Sequence, residues 1–307
     1  MNELSALDGM LAPNRNFMHL EDEYSGFDGA RVVVVPVPFD ATTCYRPGTR
    51  EGPQAIIDAS RNLELYDPEL GRSPYTAGIH TLRAVEPVMG NAQAMADRSE
   101  RVTSELLDRG KFVVTLGGDH SVSIGVVRAF ARRHPHMSVL QIDAHADLRE
   151  EYEGNALSSA TIMRRVLDVC PRTAQVGIRS LSEPEAQLVR ERKLPMWLAS
   201  DIHRQTARGR DEWIAEVVRS LGEEVYVTFD IDAFDPALVP GTGTPEPGGL
   251  GWYDVMDLLA AVASQRRVIG FDVVELSPLV EGHVSPVVAA KLAYKLIGMA
   301  VPGEGAR

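Results

Sequence analysis

Residues 138–147 read SVLQIDAHAD. A short, mostly apolar run from Ser138 to Ile142 passes directly into Asp143, His145 and Asp147. An apolar run of this length bounded by polar residues predicts a buried strand. Successive strand residues point to opposite sides, so a D-x-H-x-D spacing at the strand's end aims two carboxylates and an imidazole the same way. Carboxylate oxygens and neutral imidazole nitrogens are what a divalent metal takes from a protein. A polar loop that merely follows a strand has the same spelling, so the surrounding chain decides between the two.

Moving outward, strand-like and helix-like patterns alternate. Strands are predicted at Arg31–Pro38 (RVVVVPVP), 77–81, Lys111–Leu116, Ser138–Ile142, Ala174–Ile178, Met196–Ala199, Val225–Phe229 and Val268–Val273. Helices are predicted from about Pro53, and at Asn91–Arg109, Ser121–Arg133, Thr161–Val169, Glu183–Lys193, Asp211–Leu221, Tyr253–Ala263 and Ser285–Met299. Such alternation means an α/β fold of βαβ crossovers on a mainly parallel sheet. Periodicity does not say whether about eight strands close into a barrel or stay open. No linker, repeat or low-complexity tract divides the chain, so 1–307 reads as one domain, with residues 1–30 as an irregular arm.

Composition narrows the function. The chain has 307 residues, 44% hydrophobic and 24% charged, which is ordinary for a globular protein. A formal charge of −12 opposes nucleic acid as a partner and suits a small cationic ligand. Cys44 and Cys170 are the sole cysteines and form no disulfide framework, as expected in a reducing compartment. The N-terminus lacks the basic and apolar regions of a signal peptide, and no apolar run reaches the ~18 residues of a membrane helix. A cytoplasmic protein without a membrane partner is expected.

Three further polar clusters follow predicted strands. Lys111–Leu116 ends in Gly117-Gly118-Asp119-His120, Val225–Phe229 in Asp230-Ile231-Asp232, and Val268–Val273 is followed by Glu275. In a parallel sheet these ends share one edge, where α/β proteins place their ligands. His120, Asp143, His145, Asp147, Asp230 and Asp232 then offer oxygen and nitrogen donors and no sulfur. One metal rarely takes four carboxylates, whereas two divalent ions ~3.5–4 Å apart would use them all and lower the pKa of a shared water to near ~7. Carboxylate-rich, thiolate-free donors suit manganese better than zinc.

GGDHS at 117–121, DAHAD at 143–147 and DIDAFDP at 230–236 resemble, in that order, the three signature motifs of the ureohydrolase family. That family includes agmatinase, arginase, guanidinobutyrase and formiminoglutamase. The resemblance spans about residues 31–299, and RPGTREGPQAI (46–56), PGTGTPEPGGL (240–250) and GFDVVELSP (270–278) are more similar to agmatinase than to arginase. It implies an open parallel eight-stranded sheet flanked by helices on both faces. It also implies a pair of manganese ions that hydrolyse a guanidino group to urea and an amine, and a homo-oligomer, trimer or hexamer. By motif position, His120, Asp143, Asp147 and Asp230 would hold one ion, and Asp143, His145, Asp230 and Asp232 the other. Asp147 would also orient the attacking hydroxide, and Glu275 would pair with the substrate guanidinium.

One position departs from the family. Where agmatinases carry Ser-His-x-Thr, with a histidine thought to shuttle protons, this chain has Ser158-Ser159-Ala160-Thr161, which places Ser159 at the catalytic position. The resemblance therefore points first to agmatine, cleaved to putrescine and urea. Guanidinobutyrase, formiminoglutamase and a catalytically weak metal-binding homologue are the alternatives. An acidic substrate would need a cation, for which Arg46, Arg149 and Arg179 are candidates. Glu150 or Glu151 could meet a distal amine.

Overall fold

The computed structural model describes residues 15–206, 210–279 and 283–301. Val32 and Val34 face one hydrophobic core, and Val33 and Val35 face another, because alternate strand residues point to opposite sides. This run is β1 (Val32–Val37), buried along its whole length. It is joined by β2 (Ile79–Thr81), β3 (Phe112–Gly117), β4 (Ser138–Ile142), β5 (Thr173–Ile178), β6 (Met196–Leu198), β7 (Glu224–Asp230) and β8 (Arg267–Val274). The eight strands form one sheet in the order β2-β1-β3-β8-β7-β4-β5-β6, and every pairing is parallel. The sheet is open, as the resemblance implies, and its two edge strands have three residues each, which limits exposed pairing groups.

Pro36 lies inside β1 without breaking it. Its carbonyl accepts from Val85 on the β2 side, so the missing N–H would point the same way. There β2 pairs only with Val32–Val34 and leaves no ladder bond for Pro36 to lose.

The helices are α1 (Asp22–Ser25), α2 (Gly52–Ser60), α3 (Ala92–Asp108), α4 (Val122–Arg133), α5 (Ile162–Val166), α6 (Glu183–Arg192), α7 (Ala199–Thr206), α8 (Arg210–Ser220), α9 (Trp252–Gln265) and α10 (Val284–Ala300). Residues of α2, α8, α9 and α10 fill the core on one face of the sheet. Those of α3, α4, α5 and α6 fill the other. No helix among the described residues is long and apolar enough to cross a membrane.

Two stretches differ from the sequence-based expectation. The described part of the N-terminal arm is not irregular throughout: it holds a 3-10 turn (Phe17–His19) and α1, and Phe17 is fully buried. Elements this short present too few apolar positions to show a period. The same reason hides α7, whose eight residues bury Ile202 in the core.

Candidate metal centre

The strand order places the ends of β3, β8, β7 and β4 side by side, although β8 is the last strand in sequence. The residues at or just beyond these ends supply His120, Glu275, Asp230 and Asp143. The ends of β3 and β8 are tied reciprocally: Glu275 N–H donates to Gly118 O (2.8 Å), and His120 N–H donates to Glu275 Oε1 (2.7 Å). Asp147 and Glu275 both hold left-handed backbone conformations, with φ of 52° and 62°. Each is a strain of about 1–3 kcal/mol that the surrounding bonds must outweigh.

Glycine at 118 is required by space. A Cβ there would stand 2.0 Å from the Phe39 carbonyl oxygen. Gly118→Ala is therefore expected to lower stability by about 1–3 kcal/mol or more, the usual range for overpacking. Gly29→Ala, with nothing within 4 Å of the added carbon, is the control. Equal thermal unfolding of the two variants would show that the loop after β3 yields freely.

The six predicted ligands meet at one place. His120 Nδ1 lies 3.2 Å from Asp143 Oδ2, 3.2 Å from Asp147 Oδ2 and 3.6 Å from Asp230 Oδ2. His145 Nδ1 lies 3.0 Å from Asp232 Oδ2 and 3.7 Å from Asp143 Oδ1. Two groups have donor atoms all within 4.8 Å of one another: His120, Asp143 and Asp147, and Asp143, His145 and Asp232. Asp143 belongs to both. Asp230 stands outside the two groups, with its Oδ1 accepting from Asp232 N–H at 2.8 Å and its Oδ2 facing His120.

His120 Nδ1 is fully buried and makes no hydrogen bond. A ring nitrogen among three carboxylate oxygens needs positive charge between them: burial opposes it, but Asp143 and Asp147 push His120 well above its ordinary value, and these oxygen and nitrogen donors fit a divalent metal in place of that proton. The protein's own charges point the same way. Burial, and then the charges of Asp232 and Asp143, push the Asp230 carboxyl well above its ordinary value. Asp147 is pushed up to about 7 by burial and the charge of Asp143. Burial opposes protonation of His145, but the charge of Asp232 and bonds to Asp143 and Asp232 push it up to about 12. Burial and the neighbouring Asp119 charge push Glu275 well above the usual range. The cluster is short of positive charge, which two divalent ions would supply.

Several residues that the motifs do not single out hold the site together. Gln141, fully buried in β4, donates from Nε2 to Asp143 Oδ2 at 2.7 Å and to the His145 carbonyl at 3.2 Å. A lone amide inside an apolar strand is the sequence signal for it. Asp119 Oδ2 accepts from the N–H and hydroxyl of Thr42 at 2.8 and 2.9 Å, which pins the 40–50 loop beside His120. Asp40 closes that loop on itself by accepting from Gly48 N–H (3.0 Å) and Arg50 Nε (2.6 Å). Glu185 accepts from Leu148 N–H at 2.9 Å and from Ser182 N–H at 2.7 Å, anchoring the segment after DAHAD to the start of α6.

Above the ligands lies a cavity of about 250 Å³, lined among others by Cys44, Asp147, Arg149, Ser159, Glu185 and Glu275. Ser159 stands in its wall. Its hydroxyl donates to Thr42 O at 3.2 Å and lies 3.3 Å from Cys44 Sγ. Of the candidate arginines, Arg149 alone lines the cavity, 3.9 Å from Glu185. Arg179 donates to the carbonyls of Gly177, Asp232, Ala233, Phe234 and Glu246 instead. Glu150 pairs with Arg164 and Arg165 outside the cavity lining.

The model of the Arginase family matches residues 30–298. The chain belongs to the arginase family. Arginase-family ureohydrolases are hydrolases of guanidino and amidino groups, and this chain is accordingly an enzyme of that class. It is 41% identical to the N(1)-aminopropylagmatine ureohydrolase of Synechocystis sp., over 91% of this chain and 92% of that one. It is 36% identical to the agmatinase of Bacillus anthracis, over 91% and 98% of the two chains. The agmatine ureohydrolase structure of Thermoplasma volcanium superposes with a TM-score of 0.86 at 34% identity, covering 96% of this chain and 97% of that chain.

Proposed function

We propose that the protein is a manganese-dependent ureohydrolase that releases urea from a cationic guanidino amine. The carrying observation is the buried His120 Nδ1 facing three carboxylates, one of which, Asp143, it shares with the His145 group. His120, Asp143, Asp147 and Asp230 would hold one ion, and Asp143, His145, Asp230 and Asp232 the other. Two divalent ions held there supply a water nucleophile near neutral pH. Asp147 orients that water, and Glu275 accepts the guanidinium N–H donors in a charge-assisted pairing.

The substrate is agmatine or its N(1)-aminopropyl derivative. The aminopropyl reading is favoured by the higher identity to the Synechocystis enzyme than to the Bacillus one, 41% against 36%. An acidic substrate such as 4-guanidinobutyrate is disfavoured, since the arginine lining the cavity already faces Glu185. The test is urea release from agmatine, N(1)-aminopropylagmatine, arginine and 4-guanidinobutyrate, with formiminoglutamate turnover measured beside them. The two decarboxylated amines should have the highest kcat/KM. A preference for 4-guanidinobutyrate or formiminoglutamate would overturn the reading. In this reading the enzyme serves polyamine formation in the cytoplasm as a homo-oligomer.

Ser159 sets the rate in this reading. A hydroxyl does not titrate near neutral pH, so it does not replace an imidazole as proton carrier. Ser159→His is expected to raise turnover by at least about tenfold, below the ~10²–10⁴-fold typical of a positioned acid or base. Manganese content should stay the same. Urea release by both proteins across neutral to alkaline pH checks this; a serine form already as fast as the histidine form would show that another group carries the proton.

A further inference from the structure

The proposed ligand atom of His120 is Nδ1, and its other ring nitrogen enters a buried chain of hydrogen bonds. Nε2 lies 2.8 Å from Thr228 Oγ1 on β7. The threonine hydroxyl donates its single proton to Asp272 Oδ1 on β8, at 2.8 Å. Asp272 Oδ1 also accepts the Phe229 backbone N–H (3.3 Å), and its Oδ2 accepts the Tyr226 hydroxyl (2.7 Å). His120, Tyr226, Thr228 and Asp272 are all 0% exposed, so water does not replace any of these partners.

The direction of this chain is fixed by chemistry. Burial pushes the Asp272 carboxyl above its ordinary value. Its hydrogen bonds favour the ionised form: Oδ1 accepts two donors, the Thr228 hydroxyl and the Phe229 N–H, and Oδ2 accepts a third from Tyr226, and a carboxylate that only accepts leaves Thr228 to donate to Oδ1. With its proton so placed, Thr228 Oγ1 is left only to accept from His120, which requires the imidazole hydrogen on Nε2.

Resting on the metal-centre reading above, we infer that Thr228, Asp272 and Tyr226 are positioning residues that hold His120 in its Nε2–H tautomer and thereby keep Nδ1 bare toward a divalent cation. Without them the balance reverses. A buried N–H lacking an acceptor is unfavourable, whereas a hydrogen on Nδ1 would meet Asp143 and Asp147 at 3.2 Å. The tautomer that blocks the metal would then be the favoured one.

Two measurements test this. In the zinc-loaded protein labelled with [15N]histidine, zinc being a diamagnetic probe, the His120 signals are those absent from His120→Asn. They should show a proton on Nε2 and a metal-bound Nδ1; a proton on Nδ1 overturns the inference. Free manganese is then counted by electron paramagnetic resonance during titration. Thr228→Val keeps the size and the strand preference, and should bind one of two ions about 10–100-fold more weakly, as expected for loss of a ligand's outer partner. Thr228→Ser, which restores the hydroxyl, should bind both ions as the unaltered protein does. If Thr228→Val also binds both ions with unaltered affinity, the positioning role is wrong while the metal centre stands. If the unaltered protein binds no manganese, it is the metal-centre reading that fails.

Discussion

Asp143→Ala is expected to lose both of the proposed metal ions and, with them, urea release. Asp143 is the residue common to the two ligand groups, with one oxygen 3.2 Å from His120 Nδ1 and the other 3.7 Å from His145 Nδ1. Its removal also leaves the buried Gln141 amide without the carboxylate it donates to. The loss in affinity should exceed about 100-fold, because the outer partners of a ligand alone are typically worth ~10–100-fold. His145→Ala should differ in kind: it touches one group, so one ion per chain should remain. Elemental analysis of dialysed protein decides between them. If Asp143→Ala and His145→Ala retain the same metal, Asp143 does not bridge.

Glu275→Gln should keep its metal and lose turnover. The amide oxygen of glutamine can still accept the His120 N–H that Glu275 Oε1 accepts at 2.7 Å, so the ligand stays in place. The other end of the side chain then presents an NH₂ to a guanidinium that has only donors to offer. A hydrogen bond to a charged partner is worth about 1.5–3 kcal/mol, so kcat/KM should fall by about 10- to 100-fold or more. The comparison is urea release per bound manganese. Unchanged kcat/KM at equal metal content would place the guanidinium elsewhere in the cavity.

Much of the site is legible in sequence because its elements are local. Apolar runs such as Ser138–Ile142 match the strands closely, and their polar ends lie on the shared carboxyl edge that a parallel sheet provides. The direction of each side chain follows from a two-residue period, so D-x-H-x-D carries its own geometry. Motif positions lead to His120, Asp143, His145, Asp147, Asp230, Asp232 and Glu275. Residues that serve the site from within strands are harder to find. Gln141, Thr228 and Asp272 appear in sequence only as polar residues inside apolar runs, and such residues have many ordinary uses.

The sequence by itself determined the alternation of strands and helices, the polar clusters at strand ends and the oxygen–nitrogen character of the donors, since each depends on neighbours a few residues apart. Only the tertiary structure decided that β8 lies between β3 and β7, which brings Glu275 under His120 and Asp272 beside Thr228. It alone decided that Arg179 turns to backbone carbonyls while Arg149 reaches the cavity. The physical reason is the same throughout. Strand order and polar pairing are settled by packing between residues far apart in the chain, 44 positions for Thr228 and Asp272 and 155 for His120 and Glu275, and local periodicity carries no record of which distant strand will be the neighbour.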